Sequence, residues 1–255
     1  LDQKNLIEFR RHKMSMVFQR FGLFPHKTVI ENVGYGLEVQ GQKPEERNKT
    51  SMEKIEAVGL SGFEHQYPNQ LSGGMQQRVG LARALAADPE FLLMDEPFSA
   101  LDPLIRRQLQ TEFIKLSKQM KKTTVFITHD LDEAVRVGHR IAIMRDGMVI
   151  QIGTPEQIVI NPADEYVADF VKGISRLKVV QAKTIMKTIK EFENKFGLLP
   201  DNLEKVQEND LLNKLIKTSI SKDKPILVMN KNGQKAGVIT QSDLLRAVIE
   251  GNDSE

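Results

Sequence analysis

Two adjacent acidic residues, Asp95 and Glu96, follow directly on the apolar run 91–94. A short, fully apolar run is typical of a parallel strand that is buried on both faces, and α/β proteins bind ligands where such strands end. One carboxylate at that position can hold a metal ion through a water molecule, and the other can polarise an attacking water. An acid-rich helix start would give the same residues, so residue types alone leave both interpretations open.

Ser72, Gly73 and Gly74 stand directly before a strongly helical stretch, 75–87. Ser is a favoured N-cap, and two glycines leave the first backbone amides of the helix without obstruction by a Cβ. The positive end of the helix dipole then favours a bound anion. A plain capped helix would need only one Ser or one Gly, so the pair of glycines favours a phosphate site.

Gln19 and His129 occupy similar places in the sequence. Gln19 ends the predicted strand 14–19, and His129 follows the predicted strand 123–128. Because parallel strands end at the same edge of a sheet, we expect both side chains to lie near the acidic pair. A His at such an edge can reach a bound phosphate, although an isolated His is more often structural.

Strands and helices alternate around these residues, which indicates an α/β domain with a largely parallel sheet through residue 138. A Gly-containing turn makes 141–152 a predicted hairpin. Hydrophobic periodicity predicts the other elements: strands at 14–19, 91–94 and 123–128, and helices from 28 onward and at 44–58, 75–87, 106–120, 130–137, 155–160 and 163–172.

Length and composition exclude several classes of protein. The 255 residues suffice for one large domain or two ordinary ones. Lys+Arg 36 against Asp+Glu 34 gives a net charge of +2, which argues against a nucleic-acid-coating protein. The chain has no Cys, so disulfides and thiolate metal sites are excluded, and no stretch approaches the roughly 18 apolar residues of a membrane span.

The composition shifts after Gly173, which places a predicted domain boundary between 1–173 and 174–255. The second part contains a small βαββα-like unit. Its predicted elements are a helix at 210–218, a strand at 225–229, a turn at 230–233, a strand at 236–240 and a helix at 242–250.

Four segments in fixed order, LSGGMQQR (71–78), LLMDEP (92–97), SALD (99–102) and TH (128–129), resemble the nucleotide-binding subunit of ABC transporters. The resemblance covers 1–173. It implies a P-loop NTPase-like fold with a helical signature subdomain, and ATP and Mg²⁺ as ligands.

The resemblance also implies a role for each candidate residue. Among the residues at the strand ends, it makes Gln19 a sensor of Mg²⁺ and water, Asp95 the Mg²⁺ ligand acting through water, Glu96 the catalytic base and His129 the switch histidine. The remaining residues would act on nucleotide shared with a second subunit in a head-to-tail dimer: Ser72, Gly73, Gly74 and Gln76 in the signature and Asp102 in the loop at the dimer interface.

One part of the family pattern is missing. A P-loop, G-x-x-x-x-G-K-[ST], is required upstream of Gln19, but none of the 17 glycines is followed by Lys. The chain therefore carries the signature half of a composite site without the half that cradles the phosphates. Because it starts at Leu1 rather than Met, we expect an N-terminal truncation rather than a degenerate subunit, and no ATP hydrolysis by this chain alone.

Two further segments narrow the class. The tract 16–29 resembles importer ATPases, in which this loop contacts the membrane partner; Phe21, Leu23 and Phe24 fit such a docking surface or pack internally. Residues 225–248 resemble a CBS domain, in which Thr240 and Asp243 match positions that touch ribose and phosphate, although an N-cap at Ser242 explains them equally well.

An importer-type ATPase followed by CBS sequence resembles the glycine betaine/proline (osmoprotectant, quaternary-amine) uptake family. That resemblance implies a peripheral subunit at the cytoplasmic face of the membrane. Its partners would be a membrane permease, a second copy of the subunit and, indirectly, a substrate-binding protein, with no nucleic acid. The alternatives are a soluble non-transport ABC ATPase and an importer ATPase for another small solute.

Overall fold

The computed structural model describes residues 2–120, 122–220 and 224–249, which divide into two compact units, 1–130 and 131–255. Leu1, and Glu250 at the end of the last predicted helix, lie outside the described residues. The elements of the first unit are, in chain order, α1 (Gln3–Lys13), β1 (Met14–Val17), α2 (Val29–Val39), α3 (Pro44–Ala57), α4 (Gly73–Ala86), β2 (Phe91–Asp95), α5 (Pro103–Met120) and β3 (Thr123–Ile127).

The three strands of the first unit form a parallel sheet in the order β1-β2-β3. Val17 pairs with Met94, and Asp95 pairs with Ile127, so the strands end nearly level with one another. The residues after each strand therefore lie along one edge. The predicted α/β architecture with a parallel sheet is confirmed.

The prediction that β2 is buried on both faces is only half right. Leu92 and Met94 are buried, whereas Phe91 on the other face is 37% exposed. The exposed face continues on β3, where Val125 is 50% and Ile127 is 56% exposed. Among the described strands, β3 pairs only with β2, so its outer edge and this face are open.

Helices α2, α3 and α4 pack together around a hydrophobic cluster. The cluster forms because apolar residues recur at helical spacing on each facing side, and its fully buried members include Val29, Val33, Ile55, Val79 and Ala82. This helical group confirms the helix predicted from 28 onward and those predicted at 44–58 and 75–87, the last two to within a few residues.

Helix α1 is not predicted from the polar composition of its sequence. Only three of its eleven residues are apolar, Leu6, Ile7 and Phe9, which are too few to indicate a buried helix face from the sequence. Its ends are instead stabilised by local features. The Asp2 side chain accepts a hydrogen bond from the Asn5 amide at 2.8 Å, and basic residues, Arg10 to Lys13, fill the last turn, where they interact favourably with the helix dipole.

The second unit contains a hairpin, several short helices and a mixed sheet. Its elements are α6 (Leu131–Val137), β4 (Ile141–Arg145), β5 (Met148–Gly153), α7 (Pro155–Ile160), α8 (Glu165–Val171), α9 (Ala182–Ile185), α10 (Ile189–Phe196), β6 (Lys205–Gln207), α11 (Leu212–Ile220), β7 (Ile226–Met229), β8 (Lys235–Ile239) and α12 (Gln241–Ile249). The predicted hairpin is confirmed as β4–β5, with positive φ at Asp146 and Gly147, as a type I′ turn requires.

The predicted βαββα order is also observed, as β6, α11, β7, β8 and α12. Strand β6 pairs with β7 in parallel and β7 pairs with β8 antiparallel. One hydrophobic cluster includes residues on both sides of residue 173, among them Val167, Val171, Val180 and Leu212. The domain division at 173 stays a prediction.

No helix in the described ranges combines the length and apolarity that crossing a bilayer would need.

Candidate functional site

Glu96 lies at the centre of a hydrogen-bonded group at the carboxyl edge of the parallel sheet. Gln19 Nε2 donates to Glu96 Oε2 at 2.8 Å, and His129 Nδ1 lies 3.0 Å from Glu96 Oε1. The three residues follow three different strands, so the level strand ends bring them together. The expected proximity is observed, and the catalytic roles stay predictions.

The backbone of Glu96 is held in an unusual conformation. Its φ is +40°, a region that residues other than Gly rarely adopt. Its amide donates to the Ile127 carbonyl at 2.9 Å, and its own carbonyl accepts from the Ser99 amide and hydroxyl. Such strain persists only where surrounding structure enforces it, and it is concentrated at functional sites.

The Glu96 group remains open to solvent on one side. The Glu96 side chain is 26% exposed, whereas the His129 side chain is 72% exposed. Glu96 is therefore held by two partners and still accessible to a water molecule. His129 has room to contact a second group while it keeps its contact with the carboxylate.

Asp95 ends β2 directly before Glu96 and is half-buried. No hydrogen bond or ion pair to a described residue occupies its carboxylate. In the part of the chain that the structure describes, no group of three or more His, Asp and Glu residues could hold a metal by itself. Mg²⁺ commonly binds through one or two carboxylates together with waters and substrate phosphates, and Asp95 fits that mode.

The N-terminus of α4 is capped as the sequence predicts. Ser72 Oγ accepts from the Met75 amide at 3.3 Å. The two glycines differ, however: a Cβ on Gly74 would lie 2.8 Å from Ile105 Cγ2, whereas a Cβ on Gly73 would meet no side-chain atom closer than 3.8 Å. Close packing therefore explains Gly74, and the exposed end formed by Ser72 and Gly73 is left open for an anion.

Gln76 and Asp102 do not join the Glu96 group. Gln76 Nε2 donates to the carbonyls of Pro68 and Leu71, which fixes the chain before α4. Asp102 Oδ1 accepts from two amides in the first turn of α5, those of residues 104 and 105, at 3.1 Å each. Both side chains are engaged with local backbone, and their contacts with nucleotide stay predictions.

The apolar side chains of the loop after Gln19 are partly used within the unit. Leu23 packs against the helical cluster, and the Phe24 ring lies 4.5 Å from the Tyr35 ring. Internal packing, the alternative to a docking surface, is therefore observed for these two residues.

The sequence did not predict the role of Asn32, which organises the same loop. Asn32 is fully buried; its Oδ1 accepts from the Phe24 amide, and its Nδ2 donates to the carbonyls of Phe24, Lys27 and Thr28. A polar residue beside Val33 in an otherwise apolar stripe was the available signal. Arg83, which binds the start of the loop, leaves no comparable signal, because arginine is common on exposed helix faces.

In the second unit, Thr240 and Asp243 bind each other. The Thr240 amide donates to Asp243 Oδ2 at 2.9 Å, and the Asp243 amide donates to Thr240 Oγ1 at 3.3 Å, so Thr240 rather than Ser242 caps α12. Lys187 Nζ also donates to Asp243 Oδ1. Burial raises the pKa of Asp243, but hydrogen bonds from Lys187 and Thr240 outweigh it and lower the pKa.

Comparisons with known proteins agree with this geometry. Residues 2–99 match the ABC transporter family. The chain is 59% identical over 187 residues to the glycine betaine transport ATP-binding protein OpuAA of Bacillus subtilis, which covers 73% of this chain and 45% of that protein. It is 48% identical over 252 residues to the glycine betaine/carnitine transport ATP-binding protein GbuA of Listeria monocytogenes, which covers 98% of this chain and 60% of that protein. The chain thus spans about half the length of these two relatives.

A third relative and a solved structure extend the comparison. The trimethylamine N-oxide transport system ATP-binding protein TmoW of Pelagibacter ubique is 45% identical over 249 residues, which cover 98% of this chain and 71% of that protein. A dimeric structure of a post-hydrolysis state of the ATP-binding cassette MJ0796 bound to ADP and Pi is 39% identical, with a TM-score of 0.54, covering 61% of this chain and 68% of that chain. The chain therefore belongs to the family of ABC transporter ATP-binding proteins.

Proposed function

We propose that this chain is the ATP-hydrolysing subunit that energises import of glycine betaine, proline or a related quaternary amine through a membrane permease. The observation that carries the proposal is the Glu96 carboxylate, held between Gln19 and His129 at the carboxyl edge of the sheet. The names of the relatives support the solute class, since betaine and trimethylamine N-oxide both carry a methylated nitrogen.

Glu96 acts on the attacking water in this mechanism. Its carboxylate orients the water in line with the γ-phosphate and accepts a proton from it. The Gln19 amide fixes one carboxylate oxygen, so that the other faces His129. The exposed His129 ring stabilises the transferring phosphoryl group by donating a hydrogen bond.

Asp95 would hold Mg²⁺ through a water molecule, with Gln19 as the second residue near the ion. The half-buried Asp95 carboxylate, which no other described residue occupies, supports this assignment. Bound Mg²⁺ supplies positive charge that neutralises the phosphate oxygens.

The phosphate cradle must come from a segment that this sequence does not contain, since no Gly-Lys pair occurs in it. The open outer edge of β3, with Val125 and Ile127 exposed, supports an additional strand beside His129. We assign that place to a strand leading into a P-loop encoded upstream. This chain alone would then bind ATP weakly and would not turn it over.

A second copy would complete each site in a head-to-tail dimer. Ser72 and Gly73 form an open helix N-terminus that suits the γ-phosphate bound by the other subunit, with Gln76 and Asp102 nearby at the interface. The permease would hold the subunit at the cytoplasmic face of the membrane, and a substrate-binding protein would deliver the solute.

We assign 174–255 to a linker and a regulatory CBS-type module. Its βαββα order, with β6 parallel and β8 antiparallel to β7, supports the assignment. The module would regulate the ATPase part.

The test is co-expression of the upstream-extended chain with a candidate quaternary-amine permease, followed by reconstitution in vesicles. We expect ATP-dependent uptake of glycine betaine, with proline, choline and trimethylamine N-oxide as competitors. Uptake that persists in a Glu96→Gln variant would overturn the catalytic assignment. ATP turnover without any associated permease would favour a soluble non-transport ATPase, and uptake restricted to an unrelated solute would overturn the solute class.

A further inference from the structure

Arg83, near the C-terminal end of α4, hydrogen-bonds to the backbone shortly after Gln19. Its guanidinium donates to the Gly22 carbonyl at 2.6 Å and to the Phe21 carbonyl at 3.1 Å. The side chain is half-buried, and burial lowers the pKa of Arg83. A half-buried cation whose N–H groups donate to two neighbouring carbonyls holds that backbone in one geometry.

These carbonyls belong to the turn that presents Gln19. The Phe21 amide donates to the Phe18 carbonyl at 3.2 Å, which closes a turn with Gln19 inside it. At the end of this turn, Phe21 and Gly22 both have positive φ, 59° and 58°. A non-glycine residue such as Phe21 adopts this conformation only where surrounding structure enforces it.

Close packing holds α4 against this turn. A Cβ on Gly80 would lie 3.4 Å from the Phe21 carbonyl oxygen, and Arg83 Cζ lies 5.9 Å from the Phe24 ring centre. The turn is therefore fixed by β1 where it begins and by α4 where it ends. Gln19 is exposed between these two anchors.

We propose that Arg83 is a positioning residue that holds the turn so that Gln19 Nε2 meets the Glu96 carboxylate. Arg83 and Ser72 lie on the same helix, ~16 Å apart along its axis. A displacement of α4 when its N-terminus engages a nucleotide would therefore reach Gln19 through Arg83. This consequence for hydrolysis rests on the proposed function, whereas the effect on Gln19 does not.

Arg83→Lys is the sharpest variant. A single ammonium cannot reproduce the fork that reaches both carbonyls, so the turn should loosen while the charge is kept. The readout is the side-chain amide NMR signal of Gln19 in the 255-residue chain, assigned by its loss in Gln19→Glu. We expect its solvent exchange to quicken about fivefold, as loss of roughly one hydrogen bond predicts. Arg83→Gln, whose shorter side chain also lacks the charge, should quicken the exchange at least as much.

Arg78→Lys is the matched control on the same helix. Arg78 is also half-buried and donates to the Val58 carbonyl and the Glu112 carboxylate, away from Gln19. The Arg78→Lys substitution should lower the melting temperature and leave the solvent exchange of the Gln19 side-chain amide unchanged. The proposal would be overturned if the Gln19 side-chain amide exchanged at the wild-type rate in a folded Arg83→Lys or Arg83→Gln chain. It would also be overturned if Arg78→Lys quickened that exchange equally.

The same variants distinguish this proposal from the proposed function. The NMR experiment contains no ATP, so absence of hydrolysis would leave its result standing. In the upstream-extended subunit, Arg83→Lys should lower kcat about fivefold with KM unchanged, because Arg83 does not touch nucleotide. A change confined to KM would contradict the positioning role.

Discussion

Both units place a carboxylate beyond the end of a strand: Glu96 directly follows β2, and Asp243 lies in the first turn of α12, the helix after β8. The two carboxylates have opposite surroundings. Asp243 follows β8, is 9% exposed, and is bound by Lys187 and by the amide and hydroxyl of Thr240. Glu96 follows β2 and has a 26% exposed side chain. Among the described residues, its carboxylate hydrogen-bonds only to Gln19 and His129. Hydrogen bonds within the second unit occupy both oxygens of the Asp243 carboxylate, whereas the Glu96 carboxylate can still bind another group.

This difference separates stabilising acids from reactive ones. The partners of Asp243 are a cation and the residue that caps its own helix, so its hydrogen bonds define local structure. Glu96 instead has a positive φ and partners from two other strand ends, which gives strain and little local stabilisation. Removing the charge should therefore cost activity at Glu96 and stability at Asp243.

The largest effect is expected for Glu96→Gln. An amide can accept from Gln19 but cannot take a proton from water, so ATP turnover of the upstream-extended subunit should fall by on the order of 10²–10⁴-fold. The melting temperature should change little. Glu46→Gln, at an exposed position on α3, controls for loss of a carboxylate. Turnover within a factor of about two of wild type would remove Glu96 from the mechanism.

The opposite result is expected for Asp243→Asn. The substitution brings an amide nitrogen to Lys187 and removes charge-assisted hydrogen bonds, so unfolding of the second unit should become easier by about 2 kcal/mol. Denaturant unfolding measures the change, with exposed Asp201 changed to Asn as the control. If Asp243→Asn and Asp201→Asn had equal free energies of unfolding, the hydrogen bonds of the Asp243 carboxylate would not stabilise the second unit.

The sequence predicted the site better than its surroundings. Apolar runs indicate where strands end, and a parallel sheet places those ends along one edge, so residue order alone is enough to group Gln19, Glu96 and His129. Gln76 and Asp102 could be recognised as motif members, but the local carbonyls and amides that occupy them depend on turn geometry. Helix α1 has only three apolar residues and buries none of them, so its sequence resembles an exposed polar segment.

The two glycines of the signature provide a smaller contrast of the same kind. In Gly74→Ala, the Cβ would meet Ile105 at 2.8 Å, and overpacking of this kind costs ~1–2 kcal/mol. Gly73→Ala meets ordinary contacts and should be neutral or slightly stabilising. Thermal unfolding measures both, and Ile105→Ala should rescue Gly74→Ala. Equal destabilisation by the two alanines would contradict the packing explanation.

The smallest effect is the pH dependence of the second unit. Because the pKa of Asp243 is lowered on folding, its stabilisation is complete above the unfolded pKa of ~3.9. Stability is lost as pH falls below that value toward the folded pKa, with a slope of at most about 1.4 kcal/mol per pH unit from this group.

Hydrogen bonds also lower the pKa of Asp210 and Glu191, so the difference in stability between wild type and Asp243→Asn isolates the contribution of Asp243. That difference in unfolding free energy, measured from about pH 7 to about pH 3, should shrink only below about pH 4, since both proteins keep the other acids. A constant difference across the range would mean that Asp243 stabilises α12 through packing and not through its charge.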